Sequence, residues 1–301
     1  MSEAPSQRPN SRGVVLCRWT LAWGFRLLTR PGRHAAANLV AWLWFDVIRY
    51  RRRLILDNLA IAFPDWPEAR RRDVGRKSLQ NLCYSATEAF LLPFLTKENL
   101  PAQVTFHGVE NRTRALASGK GVFLLVPHLG NVEALMAACS LNGLEAHVIA
   151  KAFRSRFFTE LVYGTRESFG TRFIVPHGGR TAFEVLHALR RNECVAFVID
   201  QFMRKEFGVE TTFFGRKTGT AYGLALFALK TRAPVISAYC YRDATDRLHL
   251  CFEDEVPLVE DADRDRAIQA TTQSYNHRIE DIIRRHPEQW MWVHRRWKPF
   301  A

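Results

Sequence analysis

The 301-residue chain has only six cysteines, Cys17, Cys83, Cys139, Cys194, Cys240 and Cys251, with no CxxC pair and no Cys/His cluster at zinc-ligand spacing. Neither a disulfide scaffold nor a structural metal is implied, and the expected setting is a reducing one. No segment reaches the ~20 consecutive apolar residues that a spanning helix needs. The run GVVLCRWTLAWGFRLLT (13–29) is broken by Arg18 and Arg26, and AAANLVAWLWFDVI (35–48) by Asp46. The same arginines and the lack of a small-residue cleavage site argue against a signal peptide. There is no G-x-S-x-G, which disfavours a serine hydrolase. Gly215-Arg216-Lys217-Thr218 lacks the upstream glycine of a phosphate loop. With no RNP-like string, zinc finger or helix-turn-helix reader, nucleic acid is not an expected partner. No internal repeat or low-complexity tract interrupts the chain.

Acidic residues are also short: 43 Lys+Arg face 30 Asp+Glu, a net charge of +13. Such an excess calls for an anionic partner, whether nucleic acid, an anionic membrane surface, or an acidic protein or substrate. Hydrophobic residues make up 47% and charged residues 24%, a globular composition with enough apolar mass for one large α/β domain or two small ones. Residues 1–12 are polar and Pro-containing and are expected to be disordered. Residues 13–100 read as a helical, membrane-associating region. Residues 101–301 read as an α/β catalytic region, one continuous domain with those helices.

The membrane expectation rests on tryptophan. Four of the eight Trp, namely Trp19, Trp23, Trp42 and Trp44, fall in the first 50 residues, among Arg18, Arg26, Arg30 and Arg33. Indole rings suit the headgroup boundary and arginines meet lipid phosphates, so two surface-lying helices are expected there. The competing reading is a pair of ordinary amphipathic core helices. Further along, LILDNLAIAF stops at Pro64, and EARRRDVGRKSLQNLCYSATEAFLLPFL resumes a helix after Pro67. Arg51 to Arg53, Arg70 to Arg72, Arg76 and Lys77 lie here, as a solvated face or as a headgroup contact.

After about residue 103, short β-rich runs alternate with helical ones. VTFHG, GVFLLVP, AHVIA, RFIVP, CVAFVID, APVISAYCY and RLHLCFE read as strands; NVEALMAACSLN, RTAFEVLHALRR and TAYGLALFALKTR read as helices. The expected fold is α/β, a mixed, largely parallel sheet flanked by helices, with ligands where strands end and helices begin. One such junction carries chemistry: GVFLLVP runs directly into His128-Leu129-Gly130-Asn131-Val132-Glu133. On a continuous helix a five-residue step would not align the imidazole with the carboxylate, but Gly130 permits a loop that turns one back on the other. A carboxylate on one ring nitrogen fixes the tautomer and leaves the other nitrogen free to take a proton from a hydroxyl. This is two-thirds of a hydrolase triad, with the missing nucleophile supplied by the substrate.

VPHLGNVE resembles the H-x4-D/E motif of the glycerolipid and lysophospholipid acyltransferases, and more closely that of the bacterial lipid A biosynthesis lauroyl/myristoyl acyltransferases. The resemblance runs from about Leu54 to Phe300. It takes in NLAIAFPDWPEARRRDVGRKSLQN, the Asp200-Gln201 pair, Thr212-Phe213-Phe214-Gly215 and the tail HPEQWMWVHRRWKP. Val132 stands where that family often has Trp, a departure that bears on the acceptor pocket. The resemblance implies a glycerolipid acyltransferase-like fold and a catalytic dyad of His128 and Glu133. It also implies a basic segment at Lys151 to Arg154, with Arg154 helping to hold the thioester oxyanion. The donor would be acyl carrier protein or acyl-CoA, and the acceptor an anionic membrane lipid or glycolipid.

Other positions keep two readings. Asn131, Lys151, Arg154, Asp200 and Gln201 are candidate substrate contacts, and Asp200 at the end of a β-run is an active-site carboxylate or, equally, a helix or turn cap. Phe213, Phe214 and Gly215 either wall an acyl channel or close a loop. Arg295, Arg296 and Lys298 beside Trp292 and Trp297 face headgroup phosphates or belong to C-terminal packing. The other histidines are treated as structural or exposed. The expected protein is an acyltransferase without metal or cofactor, peripheral at the cytoplasmic face of the inner membrane or held by one N-terminal helix. Its acceptor is a lipid A precursor, a phosphatidylinositol mannoside, an amino-lipid or another glycolipid. The rival from another class is a non-catalytic basic membrane-binding protein.

Overall fold

The computed structural model describes residues 12–144, 146–150, 155, 171–176 and 179–300. Helices α1 (Arg12–Leu27) and α2 (Arg30–Trp42) open the chain. Thr29 caps α2 by accepting from the Gly32 N–H, and Pro31 sits in the first turn, where its missing N–H costs nothing. The second helix therefore starts at Arg30 rather than at Ala35. It runs into a π-helical turn, Leu43–Ile48, that ends on Arg49 at φ 57°. Helices α3 (Arg52–Ala62) and α4 (Glu68–Ala89) follow, separated by the Pro64–Pro67 turn.

These four helices have a buried inner face. Ala37, Ala41 and Phe45 repeat every four residues and are fully enclosed. They approach α4 closely because Gly75 has no side chain: a Cβ there would stand 2.9 Å from Ile55 and 3.3 Å from Phe45. Asp46 is anchored from α4 by Arg76, at 2.8 and 2.9 Å. The outer face of α1 and α2 stays apolar, with Leu16, Trp19, Trp23, Leu39, Val40 and Trp42 exposed. Trp44 departs from that group: it is half-buried against the core, and its indole N–H donates to the Tyr50 carbonyl at 2.9 Å. No described helix is long and apolar enough to cross a membrane.

The rest of the chain builds the α/β layer. In order come α5 (Leu100–Gln103), β1 (Val104–His107), α6 (Val109–Leu116), β2 (Val122–Leu125), α7 (Val132–Leu141), β3 (Ala146–Ile149) and β4 (Arg172–Ile174). Then follow α8 (Gly179–Arg190), β5 (Cys194–Phe197), β6 (Gly208–Phe213), β7 (Arg216–Ala221), α9 (Gly223–Thr231), β8 (Val235–Arg242), β9 (Leu248–Glu255) and α10 (Arg264–Arg285). Seven strands form one sheet in the order β1-β9-β8-β2-β5-β3-β4. Every neighbouring pair is parallel except β8 with β9. This is the mixed, mostly parallel sheet expected, and all seven strand runs read from the sequence join it.

Strands β2 and β5 lie at the centre and are buried on both faces, which is why they read as unbroken apolar runs. Phe123, Leu125, Val195 and Phe197 pack to one face with α3, α4 and α8 to α10. Val122, Leu124, Cys194 and Ala196 pack to the other with α6 and α7. At ~1.5–3 kcal/mol per large apolar side chain removed from water, these two layers hold the strand ends that carry the site.

Two elements were not expected. The antiparallel hairpin β6–β7 forms a separate two-stranded sheet, and its second strand takes in Thr220 and Ala221, so α9 starts only at Gly223. The 22-residue α10 packs on this hairpin, where Asn276 and Gln273 donate to the Thr212 carbonyl and Glu280 accepts from the Phe214 N–H.

Candidate active site

The central strand β2 delivers His128 to the edge of the core, and three backbone constraints shape the turn after it. Gly130 adopts φ 61°, and a Cβ at that position would stand 1.8 Å from the Cys240 carbonyl oxygen, so only glycine fits. Asn131 then caps α7, its Oδ1 accepting from the Ala134 N–H at 3.0 Å, while its Nδ2 donates to Glu88 at 2.7 Å. From the C-terminal tail, Leu129 is bridged to Trp290, the Gly130 N–H donates to the Gln289 carbonyl at 2.9 Å, and the Met291 N–H donates to the His128 carbonyl at 3.2 Å. Gln289 is held in turn by an amide pair with the backbone of Arg242, 2.8 Å in each direction. The Pro-Glu-Gln-Trp string is thus the clamp on the histidine turn.

Asp200 ends the β5 run next to β2 and is almost wholly buried, at 1% exposure, whereas a third of the His128 side chain is open. Its Oδ1 lies 2.7 Å from His128 Nδ1, and its Oδ2 accepts from the His128 backbone N–H at 2.7 Å and from the Trp290 indole at 2.8 Å. Both oxygens are spent on this turn, so Asp200 is no helix cap. Burial alone would raise its pKa, but the charge and hydrogen bonds of His128 and the Trp290 donor outweigh it and hold the carboxyl down at about 2. A carboxylate on Nδ1 favours the tautomer that leaves Nε2 as the acceptor, and the Gln201 amide nitrogen lies 3.2 Å from that atom. That tautomer is the one a general base needs.

The other expected residues fall as follows. Glu133 stands half-buried in the first turn of α7. The side chain of Asn131 positions the turn, with one bond to the cap and one to Glu88, and also lines the cavity beside α1 and α2. Lys151 and Arg154 lie outside the described residues. Phe213 and Phe214 flank the hairpin turn: Phe213 packs on Trp290 and Trp297 at 5.8 Å, and Phe214 on Phe63. They belong to the core, and Gly215, at φ 72°, closes the turn. The apolar slot next to the site is instead bounded by Val126, Val132, Leu135, Met136, Val148 and Ala196.

The C-terminal cations divide. Arg296 is fully buried and cannot meet a headgroup; it donates to the Gly219 carbonyl at 2.6 Å and to Thr220 at 2.7 Å, and desolvation lowers its pKa to about 10. Arg295 and Lys298 remain exposed. Trp292 is buried, and Trp297 donates its indole N–H to the Phe213 carbonyl at 2.8 Å. Trp290 has no role in the sequence reading. Its only trace there is the Pro-Glu-Gln-Trp string, 90 residues from the carboxylate it serves. Among the described residues no group of three metal-ligating side chains is placed to hold an ion.

A half-buried imidazole set on a buried carboxylate at the end of a parallel strand, beside an apolar slot, is an arrangement suited to general-base chemistry on a substrate hydroxyl. Residues 7–299 match the family described as bacterial lipid A biosynthesis acyltransferase, and the chain belongs to that family; it is an acyltransferase. It is 25% identical over 257 residues to the lipid A biosynthesis acyltransferase of Haemophilus influenzae, covering 85% of this chain and 78% of that one. It is also 29% identical over 218 residues to the phosphatidylinositol mannoside acyltransferase of Mycobacterium tuberculosis, covering 70% of this chain and 66% of the relative.

Proposed function

We propose that the protein moves a fatty acyl chain from a thioester to a hydroxyl of a membrane glycolipid, with His128 as the general base. The observation that carries this is the His128–Asp200 pair, in which the buried carboxylate lies 2.7 Å from Nδ1 and so favours the tautomer with Nε2 as the proton acceptor. His128 takes the proton of the acceptor hydroxyl as its oxygen attacks the thioester carbonyl; collapse of the tetrahedral oxyanion expels the thiolate, which recovers the proton. Asp200 holds the tautomer and balances the imidazolium. Glu133, the acid of the H-x4-E motif, is the second carboxylate serving this base from the first turn of α7. The amides at the start of α7 and the basic side chain of Arg154 oppose the charge developing on the oxyanion.

The apolar slot under α7, beginning two residues before His128 at Val126, suits the acyl chain. Names of relatives as different as a lipid A and a phosphatidylinositol mannoside acyltransferase support a glycolipid acceptor. The exposed face of Leu16, Trp19, Trp23, Leu39, Val40 and Trp42 supports peripheral attachment to a membrane surface, which the reading places at the cytoplasmic face of the inner membrane. A groove between α3 and α4 lined by Arg49, Arg52, Arg53, Arg71 and Arg72, with Asp57 and Glu68 among them, suits an anionic donor, acyl carrier protein or acyl-CoA. Purified protein, radiolabelled acyl thioester and extracted glycolipids test the reading: label is expected in an alkali-labile ester of the glycolipid. Label recovered only as free fatty acid would contradict it.

A further inference from the structure

The place of the nucleophile at the base is already taken. The Gln201 amide nitrogen stands 3.2 Å from His128 Nε2, the atom that must receive the acceptor's proton. A lone pair on Nε2 is complemented by the N–H end of an amide and not by its oxygen, so the side chain is seated on the base as a donor. A third of the His128 side chain is nevertheless open to solvent, so water reaches Nε2 whenever the amide is elsewhere.

Only the side chain of Gln201 is free to leave. Just before it, Asp200 has both carboxylate oxygens committed to the His128 turn and to Trp290. The Gln201 carbonyl accepts from the buried Arg296 at 3.3 Å, and the next ring, Phe202, lies 5.3 Å under the Lys298 ammonium. The backbone is thus pinned on both sides, while among the described residues the contact with Nε2 is the amide's one hydrogen bond. What it covers is reactive. A base beside a thioester does not by itself tell a sugar hydroxyl from water: water gives its proton to Nε2 as its oxygen attacks the carbonyl carbon, the C–S bond breaks, the thiolate recovers the proton from the imidazolium, and fatty acid and free thiol leave.

We infer that Gln201 is a latch on the base, covering Nε2 until the acceptor displaces it, and that it thereby favours acyl transfer over hydrolysis of the thioester. The inference rests on the acyltransferase reading with His128 as general base. A glycolipid makes contacts remote from its reacting hydroxyl, and their binding energy drives the amide aside. Water has no such contacts and gains no more from Nε2 than the amide does. The closed latch therefore selects against water without any contact that recognises a sugar.

The test uses the full chain in neutral detergent, with acyl-CoA and acylated carrier protein each tried as the thioester, and reads free thiol released without any acceptor. Gln201→Ala is expected to hydrolyse the thioester ~5-fold or more faster than the wild type, the ratio of closed to open that one neutral hydrogen bond sustains. With glycolipid present, the ratio of acyl ester to free fatty acid is expected to fall by a similar factor. The His128→Ala/Gln201→Ala protein is expected to lose the added hydrolysis, because that reaction runs through the same base. If melting shows that Gln201→Ala does not fold, Gln201→Asn, an amide one methylene too short to reach Nε2, takes its place with the same expectation. A Gln201 that only supports the fold would lower transfer and hydrolysis together and leave their ratio unmoved, which would overturn the proposal. So would added hydrolysis that persists in the double variant. The acceptor-free arm is readable whether or not a glycolipid is acylated, so a wild type that transfers to none counts against the acyltransferase reading and is told apart from failure of the latch.

Discussion

Trp290 donates its indole N–H to Asp200 Oδ2 at 2.8 Å, so the C-terminal tail finishes the carboxylate on which the histidine rests. Trp290→Phe keeps the ring and removes only this donor. A hydrogen bond to a charged group is worth ~1.5–3 kcal/mol, so stability is expected to fall by about that amount. The Asp200 pKa should rise from its depressed value of about 2, so acid unfolding should begin at higher pH than in the wild type. Denaturant titration at neutral and acid pH checks both, and an unmoved acid transition would mean that the indole only fills space.

Gly130→Ala should be among the most damaging single-methyl changes in the chain. The added carbon would stand 1.8 Å from the Cys240 carbonyl oxygen at a φ of 61°, so the turn must shift. A loss of ~2 kcal/mol or more and nearly complete loss of transfer are expected. Thermal melting and turnover measured together would show whether the turn or the whole fold gives way.

Acid should weaken the fold in two separable windows. Burial, with Arg296 and Lys298 nearby, holds His294 down at about 4 from an ordinary 6.5. Its neutral form is the folded form, so its contribution is present above pH 6.5 and is lost as pH falls through 6.5 toward 4. Asp200, depressed from 3.8 to about 2, contributes above 3.8 and loses that contribution only below it. His294→Gln should flatten the stability curve between pH 6.5 and 4 and leave the lower window unchanged; an unaltered slope would count against the burial of that ring.

The membrane face is testable without unfolding the protein. Deleting residues 14–48 would remove Ala41 and Phe45 from the core, so surface substitution is the cleaner probe. Trp19, Trp23 and Trp42 replaced together by Ala should reduce partitioning onto anionic vesicles by ~10-fold or more through lost apolar burial. The same change should lower the melting temperature in detergent only by what Trp19 and Trp23 lose against Phe94, to which both rings pack edge-on. Undiminished sedimentation with vesicles would move the attachment elsewhere.

Much of the sheet was legible because parallel central strands must be apolar on both faces: VFLL and CVAF are hydrophobic runs for that reason, and all seven runs pair. His128 was legible because a strand end followed by glycine and a helix start is a local pattern. Its Nδ1 partner was not. Asp200 is 72 residues away and reaches the ring only through the β2–β5 pairing, and nothing local distinguishes a buried acceptor from a cap. Arg296 misled for a similar reason: an Arg-Arg pair near tryptophans reads as surface, and only the β6–β7 hairpin, masked by its threonines and glycines, shows where the second arginine is buried. The N-terminal helices were read as surface-lying, yet their small residues Ala37 and Ala41 and the glycine at position 75 face inward, a packing visible only once α2 is set against α4.

The most direct measurement is acyl transfer by folded His128→Ala, with Asp200→Asn and Glu133→Gln alongside, using the same thioester and glycolipid. General-base catalysis contributes ~10²–10⁴-fold, so His128→Ala should lose at least that much in kcat with its melting temperature nearly unchanged. Asp200→Asn and Glu133→Gln should each be severely impaired. Near-normal turnover by a folded His128→Ala protein would contradict the mechanism.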